Sequence, residues 1–272
     1  MAEPGTQKPA GPVREPLITD LETVLTTTRA VRRRLDLARP VPRELVLDCL
    51  RLALQAPTGG DAEDWRFVLV GDPATRARIG EEYRRLFDLH VRPRLPALQA
   101  GATMRAGPPG SDPERGRDLG RDGAQDLGHD RDGAQDAGHD LDGAARRRRA
   151  RVYAGAAYLA ENIGRAPWLV LACATRPNRS PKIAAAVYGS VFPAVWSFQL
   201  ALRSHGLGSI ITTLHLRDPA EVTRILGIPD GVTQCALLPV AYTLGTDFRP
   251  AARRPVAEVT YLDQWARPLP AG

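Results

Sequence analysis

Lysine is nearly missing from this chain: only Lys8 and Lys182 carry it, and every other fixed cation is an arginine. With abundant Ala, Gly and Pro, that imbalance reads as a GC-rich coding bias, so the formal charge of +6 carries little weight as a sign of nucleic-acid binding. Aromatic residues are also scarce, at 6%, and none interleave the basic run Arg146–Arg149, which leaves no stacking platform for single-stranded nucleic acid. The cysteines number three, Cys49, Cys173 and Cys235. They are far apart, in apolar surroundings and odd in number, which excludes a metal-ligand spacing and a disulfide framework and points to buried free thiols of a reducing compartment. The first residues, MAEPGTQKPAGPVREP, hold no apolar h-region, so no signal peptide is expected and the cytoplasm is the expected location.

One long stretch does lack charge. Ile183–Leu202 has the length of a membrane span. It is interrupted by Gly189, Ser190, Pro193, Ser197 and Gln199 and closely flanked by charges, so a helix buried in a core or a dimer interface, kinked or interrupted at Pro193, is the expectation.

What is present divides the chain into a loose tail (1–18), a single domain in two pieces (19–91 and 150–265), an insert (92–149) and a short C-terminal tail (266–272). The spacing predicts a helix opened by a Thr19–Glu22 capping box and carrying Leu21, Val24, Leu25 and Val31, with a basic last turn from Arg29 to Arg34. A second helix has Pro42 at its first position and ends at Pro57. A third starts at Asp72-Pro73 and reaches about His90. Strands are predicted at Arg66–Val70, Trp168–Ala174, Leu207–Leu214 and Thr233–Leu244. The Ala-rich Val152–Arg165 reads as a helix, as does the short segment between Asp218-Pro219 and Gly227. Beyond Gly245 the chain should leave the body as an extended basic tail.

The insert contains a tandem decapeptide, RDGAQDLGHD at Arg121–Asp130 and RDGAQDAGHD at Arg131–Asp140. It has almost no apolar content to offset the entropy of ordering, so a disordered, dispensable segment is expected. His129 and His139 repeat with the unit, and no metal site is assigned to them.

The stretch Gln55–Val70, QAPTGGDAEDWRFVLV, is where a ligand would be met. Pro57 stops a helix, Thr58-Gly59-Gly60 lets backbone approach a flat group closely, and a buried strand follows. Arg29 and Arg33, one helical turn apart, could form an anion clamp or merely a solvated helix end.

Four separated segments together resemble the FMN-dependent nitroreductase family: Arg29-Ala30-Val31-Arg32-Arg33; Ala56-Pro57-Thr58-Gly59-Gly60 with Glu63 and Trp65-Arg66-Phe67; Gly206-Leu207-Gly208 with Thr212-Thr213; and Arg253-Arg254-Pro255. Tyr188-Gly189-Ser190 and Leu226-Gly227-Ile228-Pro229-Asp230-Gly231-Val232 look like its actinobacterial branch. The resemblance implies an α+β fold, a mixed sheet flanked by helices, in an intertwined homodimer with FMN at the interface and the tail from Gly245 crossing to the partner. It implies flavin contacts from Arg29, Ala30, Val31, Arg32 and Arg33, from Pro57, Thr58 and Gly59, from Ile211, Thr212 and Thr213, and from Arg253. Forked guanidinium donors suit a phosphate and a developing negative charge on the flavin ring. Val31 stands where the family often has Ser, Asp61 where Asn or His is common, and Asp64 where Pro is usual. The insert falls where relatives carry the mobile element over the substrate.

The implied function is electron transfer from NAD(P)H to a small conjugated acceptor such as a nitroaromatic, quinone or activated alkene. No catalytic side chain and no metal is required, because the cofactor carries the chemistry. The alternatives are a relative acting on a deazaflavin, a halogenated aromatic or flavin itself, and a flavin-binding or interaction protein without efficient turnover.

Overall fold

The computed structural model describes residues 15–96, 135–176 and 180–270. The first copy of the repeat and most of the insert therefore lie outside the described residues, as does the tail before Glu15.

The sheet is built on two long apolar strands. β3 (Trp168–Ala174) and β5 (Thr233–Thr243) pair antiparallel, with β2 (Trp65–Val70) on the outer side of β3. On the other side of β5 lie the two-residue β1 (Leu35–Asp36) and the three-residue β4 (Leu207–Ser209). Parallel pairing enters through one isolated bridge, Ala30 to Ser209. Because side chains alternate along a strand, Val170, Ala172, Leu238 and Val240 enter one core cluster while Leu169, Leu171, Cys173 and Leu237 enter another. Both faces are covered by helices, which explains why the strands read as continuous apolar runs.

One face is covered by α2 (Arg43–Ala53) and the long α5 (Pro181–Ser204); the other by α3 (Pro73–His90) and α4 (Gln135–Asn162). The short helices α1 (Leu21–Thr27) and α6 (Ala220–Leu226) complete the set. Fully buried anchors such as Phe198 on α5 and Phe87 on α3 each contribute about 1.5–3 kcal/mol of apolar burial. The α+β fold expected from the sequence is the one observed.

Several expectations are corrected. The N-cap of α1 is Asp20, whose carboxylate accepts from Thr23 N at 2.7 Å, rather than Thr19. That helix also stops at Thr27 instead of running through the arginines. Thr26, Thr27 and Thr28 each donate their hydroxyls to carbonyls four residues back (2.6–2.7 Å), Thr28 is already extended, and Val31 N then donates to Ser209 O. Arg29 and Arg33 are therefore not on one face of a helix. Pro42 is the N-cap of α2, not its first residue, and α2 ends at Ala53, before Pro57. α4 starts at Gln135, inside the second repeat copy and well before Val152. α5 runs through Pro193 without interruption. The strand expected over Leu207–Leu214 ends at Ser209; Thr212 keeps an isolated bridge to Leu237, and Leu214–Arg217 coils into a 3-10 turn. Beyond β5 the tail is not simply extended: it turns at Val256–Val259 and closes a small bridge between Tyr261 and Pro268.

Asp72 caps α3 as expected, accepting from the Thr75 amide and hydroxyl at 2.7 and 2.6 Å. At Gly80, α3 crosses the turn after α4 so closely that a Cβ would lie 2.8 Å from Gly164 Cα. α5 is the one helix among the described residues long and apolar enough to cross a membrane. Val187, Val191, Val195, Phe198 and Leu202 on it belong to the core, while Ile183 and Trp196, each 40% exposed, lie outward.

Candidate functional site

The arginine segment is bridged to the end of β4 at Ala30 and Val31 and then turns over Arg32–Arg34. Its anchors are the Ala30–Ser209 bridge and the bond from Val31 N to Ser209 O at 2.9 Å. Val31 itself is buried, so its side chain belongs to the core. Arg32 packs along Gly155 of α4, and burial lowers its pKa, the neighbouring Tyr83 acting the other way. Arg33 is exposed, with one long hydrogen bond (3.4 Å) to Ala154 O. Arg29 is half-buried and makes no hydrogen bond among the described residues; its Nη1 atom is fully buried.

Directly after β4 comes the second predicted segment, Ile211-Thr212-Thr213. Thr212 N and O both pair with Leu237, at 3.0 and 2.9 Å, and its hydroxyl lies 2.7 Å from the Tyr83 phenol. Thr212 is thus committed to the protein, and the exposed Thr213 is the residue of the pair whose side chain is open to a ligand. Burial pushes the Tyr83 pKa up, while the Thr212 bond and the charge of Arg32 act in the opposite sense. Arg32 and Thr212 thus both bear on Tyr83, which places the Arg29–Arg33 and Ile211–Thr213 segments in one neighbourhood. Two residues further on is His215, buried with neither ring nitrogen hydrogen-bonded among the described residues, and burial alone pushes its pKa down to about 4.

The turn Thr58-Gly59-Gly60 sits elsewhere. Gly60 has φ +67° and nothing within 4 Å of where a Cβ would be, so the backbone there is open to a flat ligand. Gly59 N donates to Ser190 Oγ on α5 (3.2 Å), which donates in turn to Ala186 O (2.9 Å). Gly59 helps line a cavity of about 410 Å³ whose wall is Ile183, Ala186, Val187 and Val191 and whose rim carries Lys182 and Arg176. Asp64, in place of the family's proline, holds Arg176 at 2.6 Å. None of the arginine segment lines this cavity. Pro57 is exposed beside it, and Arg253 is exposed in the tail.

Arg29, Arg33 and Arg253 have no ion-pair partner among the described residues, whereas Arg34, Arg85, Arg92 and Arg224 are bound by carboxylates. Three guanidiniums without a carboxylate partner and an open glycine turn fit a phosphate-bearing planar cofactor. The three cysteines are free and buried, their pKa values pushed up to about 12, 11 and 12 for Cys49, Cys173 and Cys235, so none is a poised nucleophile. Sequence reasoning does not single out Tyr83 or Arg203, and it reaches Ser190 only as part of Tyr188-Gly189-Ser190, without its bond to Gly59. Arg203 leaves a trace as the charge that ends the uncharged run on α5.

The family model described as the nitroreductase family matches residues 25–242. The NADH dehydrogenase of Thermus thermophilus is 38% identical over 65 residues, a match spanning 24% of this chain and 30% of that protein. Among solved structures, the FMN and NADPH-dependent nitroreductase NfnB from sphigopyxis sp. strain HMH superposes with a TM-score of 0.59 at 17% identity, covering 91% of this chain and all of that one (100%). Oxidized iodotyrosine deiodinase bound to FMN and 3-iodo-L-tyrosine gives 0.52 at 21% identity, covering 90% and 98%. At these identities the structural likeness is one of fold.

Proposed function

The chain belongs to the nitroreductase family, and on that premise we propose that it is an FMN-dependent oxidoreductase that passes electrons from NAD(P)H to a small conjugated acceptor. The observation that carries the reading is the pair Arg29 and Arg33, without a carboxylate partner among the described residues, on the segment that Ala30 and Val31 bridge to β4 in the neighbourhood of Thr213. The chemistry supplied by bound FMN is two-electron hydride acceptance and return. Arg29, Arg33 and Arg253 bind its phosphate and stabilise negative charge at the pyrimidine edge of the ring. Thr213 and the backbone of Ala30 and Thr58 orient that edge. Nitroaromatics, quinones and activated alkenes are the acceptor class, because each takes electrons into a planar conjugated system.

The working unit is a homodimer. Gly59 lines a cavity against α5 that holds none of the arginine segment, which supports a flavin site assembled from two copies. Ile183 and Trp196 on α5, together with Val256, Val259 and the 87% exposed Trp265 in the tail, leave apolar surface that a second copy would cover. The free buried thiols suit a reducing cytoplasm.

Steady-state kinetics with NADPH or NADH and an acceptor panel, halogenated aromatics included, test the reading. Donor and acceptor using one face of the flavin in turn give parallel double-reciprocal lines; converging lines would remove the single shared site. Light scattering should give the dimer mass, and a monomer with flavin bound would remove the two-chain site.

A further inference from the structure

Behind the arginine segment lies a small cavity of about 10 Å³, room for one water-sized occupant. Thr27, Arg29, Gln199, Arg203, Ser209 and Phe248 line it, and no carboxylate does among the described residues. Arg203, 5% exposed, donates through Nε and Nη2 to Thr27 Oγ1 (both 3.2 Å) and through Nη2 to Thr246 O (2.9 Å). Its Nη1 is buried without a partner, and so is Nη1 of Arg29. Ser209 Oγ accepts from Gln199 Nε2 at 2.9 Å, which leaves the serine proton available to donate.

The charge around this cavity does not balance. Phe248 has the guanidinium of Arg203 4.7 Å from its ring centroid and that of Arg34 at 4.1 Å. Asp247 is already engaged by Arg34 at 2.6 Å, with its side chain 89% exposed. Burial and the charge of Arg34 both lower the Arg203 pKa, yet a guanidinium does not lose its proton in a protein. Arg203, buried, and Arg29, half-buried, therefore carry unfilled donors whose charge no carboxylate lining the cavity balances among the described residues, and a bound anion would balance it. A water would fill the donors and leave the charge. A phosphate or carboxylate is too large for the space.

We propose that the cavity holds a monatomic halide, chloride under ordinary conditions, bound by Arg29 Nη1, Arg203 Nη1 and the Ser209 hydroxyl. The ion fixes one edge of the Arg29 guanidinium from the protein side. On the flavin reading given above, the rest of that guanidinium then presents outward in a set orientation, so halide and flavin support each other's binding.

The direct test is diffraction from crystals of the flavin-loaded protein grown or soaked in sodium bromide. An anomalous peak inside the cavity supports the site. A water, an empty cavity or peaks confined to the surface, an adventitious ion only, overturn it. In solution, thermal unfolding at equal ionic strength should show a higher, saturating Tm in sodium chloride than in sodium gluconate, and Arg203→Leu should abolish the difference. Equal Tm values in the two salts overturn the proposal, and the bromide experiment stands on the native chain if the variant does not fold. Flavin content measured in the same samples keeps the two readings apart, since a halide effect that persists after flavin removal supports the site whatever becomes of the flavin assignment.

Discussion

The phenol of Tyr83 and the hydroxyl of Thr212, 129 residues apart in sequence, meet at 2.7 Å inside the protein. The bond ties α3 to the segment after β4, which also carries Thr213. Tyr83→Phe leaves the Thr212 hydroxyl buried with its partner removed, at a cost of about 1–3 kcal/mol. Thermal unfolding should show the loss and flavin titration a weaker complex. An unchanged Tm and flavin affinity would make the pair a bystander.

Gly80 is the second point of close fit. A Cβ there would stand 2.8 and 2.9 Å from the Cα and N of Gly164, and backbone cannot retract as a side-chain tip can. Gly80→Ala gains helix propensity but overpacks this crossing, for a net loss of about 1–2 kcal/mol. Chemical denaturation measures it; a stabilised variant would show that the crossing can widen freely.

His215 sets a pH dependence. Its folded pKa of about 4 lies below the ordinary value of 6.5, because burial disfavours the charged ring. Between those values the unfolded chain binds more protons than the folded one, so stability falls as pH drops from 6.5 towards 4 and is level above 6.5 with respect to this group. The full span is about 3 kcal/mol. His215→Leu should flatten this part of the stability–pH curve, and an unaltered slope would assign it to other groups.

These elements show what a linear reading can and cannot reach. α3, α6 and β3 are bounded by local signals, Asp72-Pro73, Gly227 and Pro167, and appear where those signals place them. The arginine segment reads as helix in the sequence because its true conformation depends on Ser209, a partner nearly two hundred residues away. β1 escapes a linear reading for the same reason, since two residues become a strand only by pairing with Tyr242 and Thr243. The motifs point to both candidate segments, but nothing in them tells that Thr212 is tied to Tyr83 or that Arg203 is buried.

Arg33→Ala removes a charged hydrogen bond worth about 1.5–3 kcal/mol, so the Kd for FMN should rise by about 10- to 150-fold with the fold intact. Fluorescence titration of flavin into the stripped protein measures it. Unchanged affinity would place the clamp elsewhere.

The central claim is tested most directly by the visible spectrum of the flavin-loaded protein mixed anaerobically with NADH or NADPH. The account predicts a yellow protein whose flavin absorbance bleaches with at least one of the two and returns on addition of a quinone or nitroaromatic. A protein that binds no FMN, or whose flavin is left unbleached by both nucleotides, would contradict it.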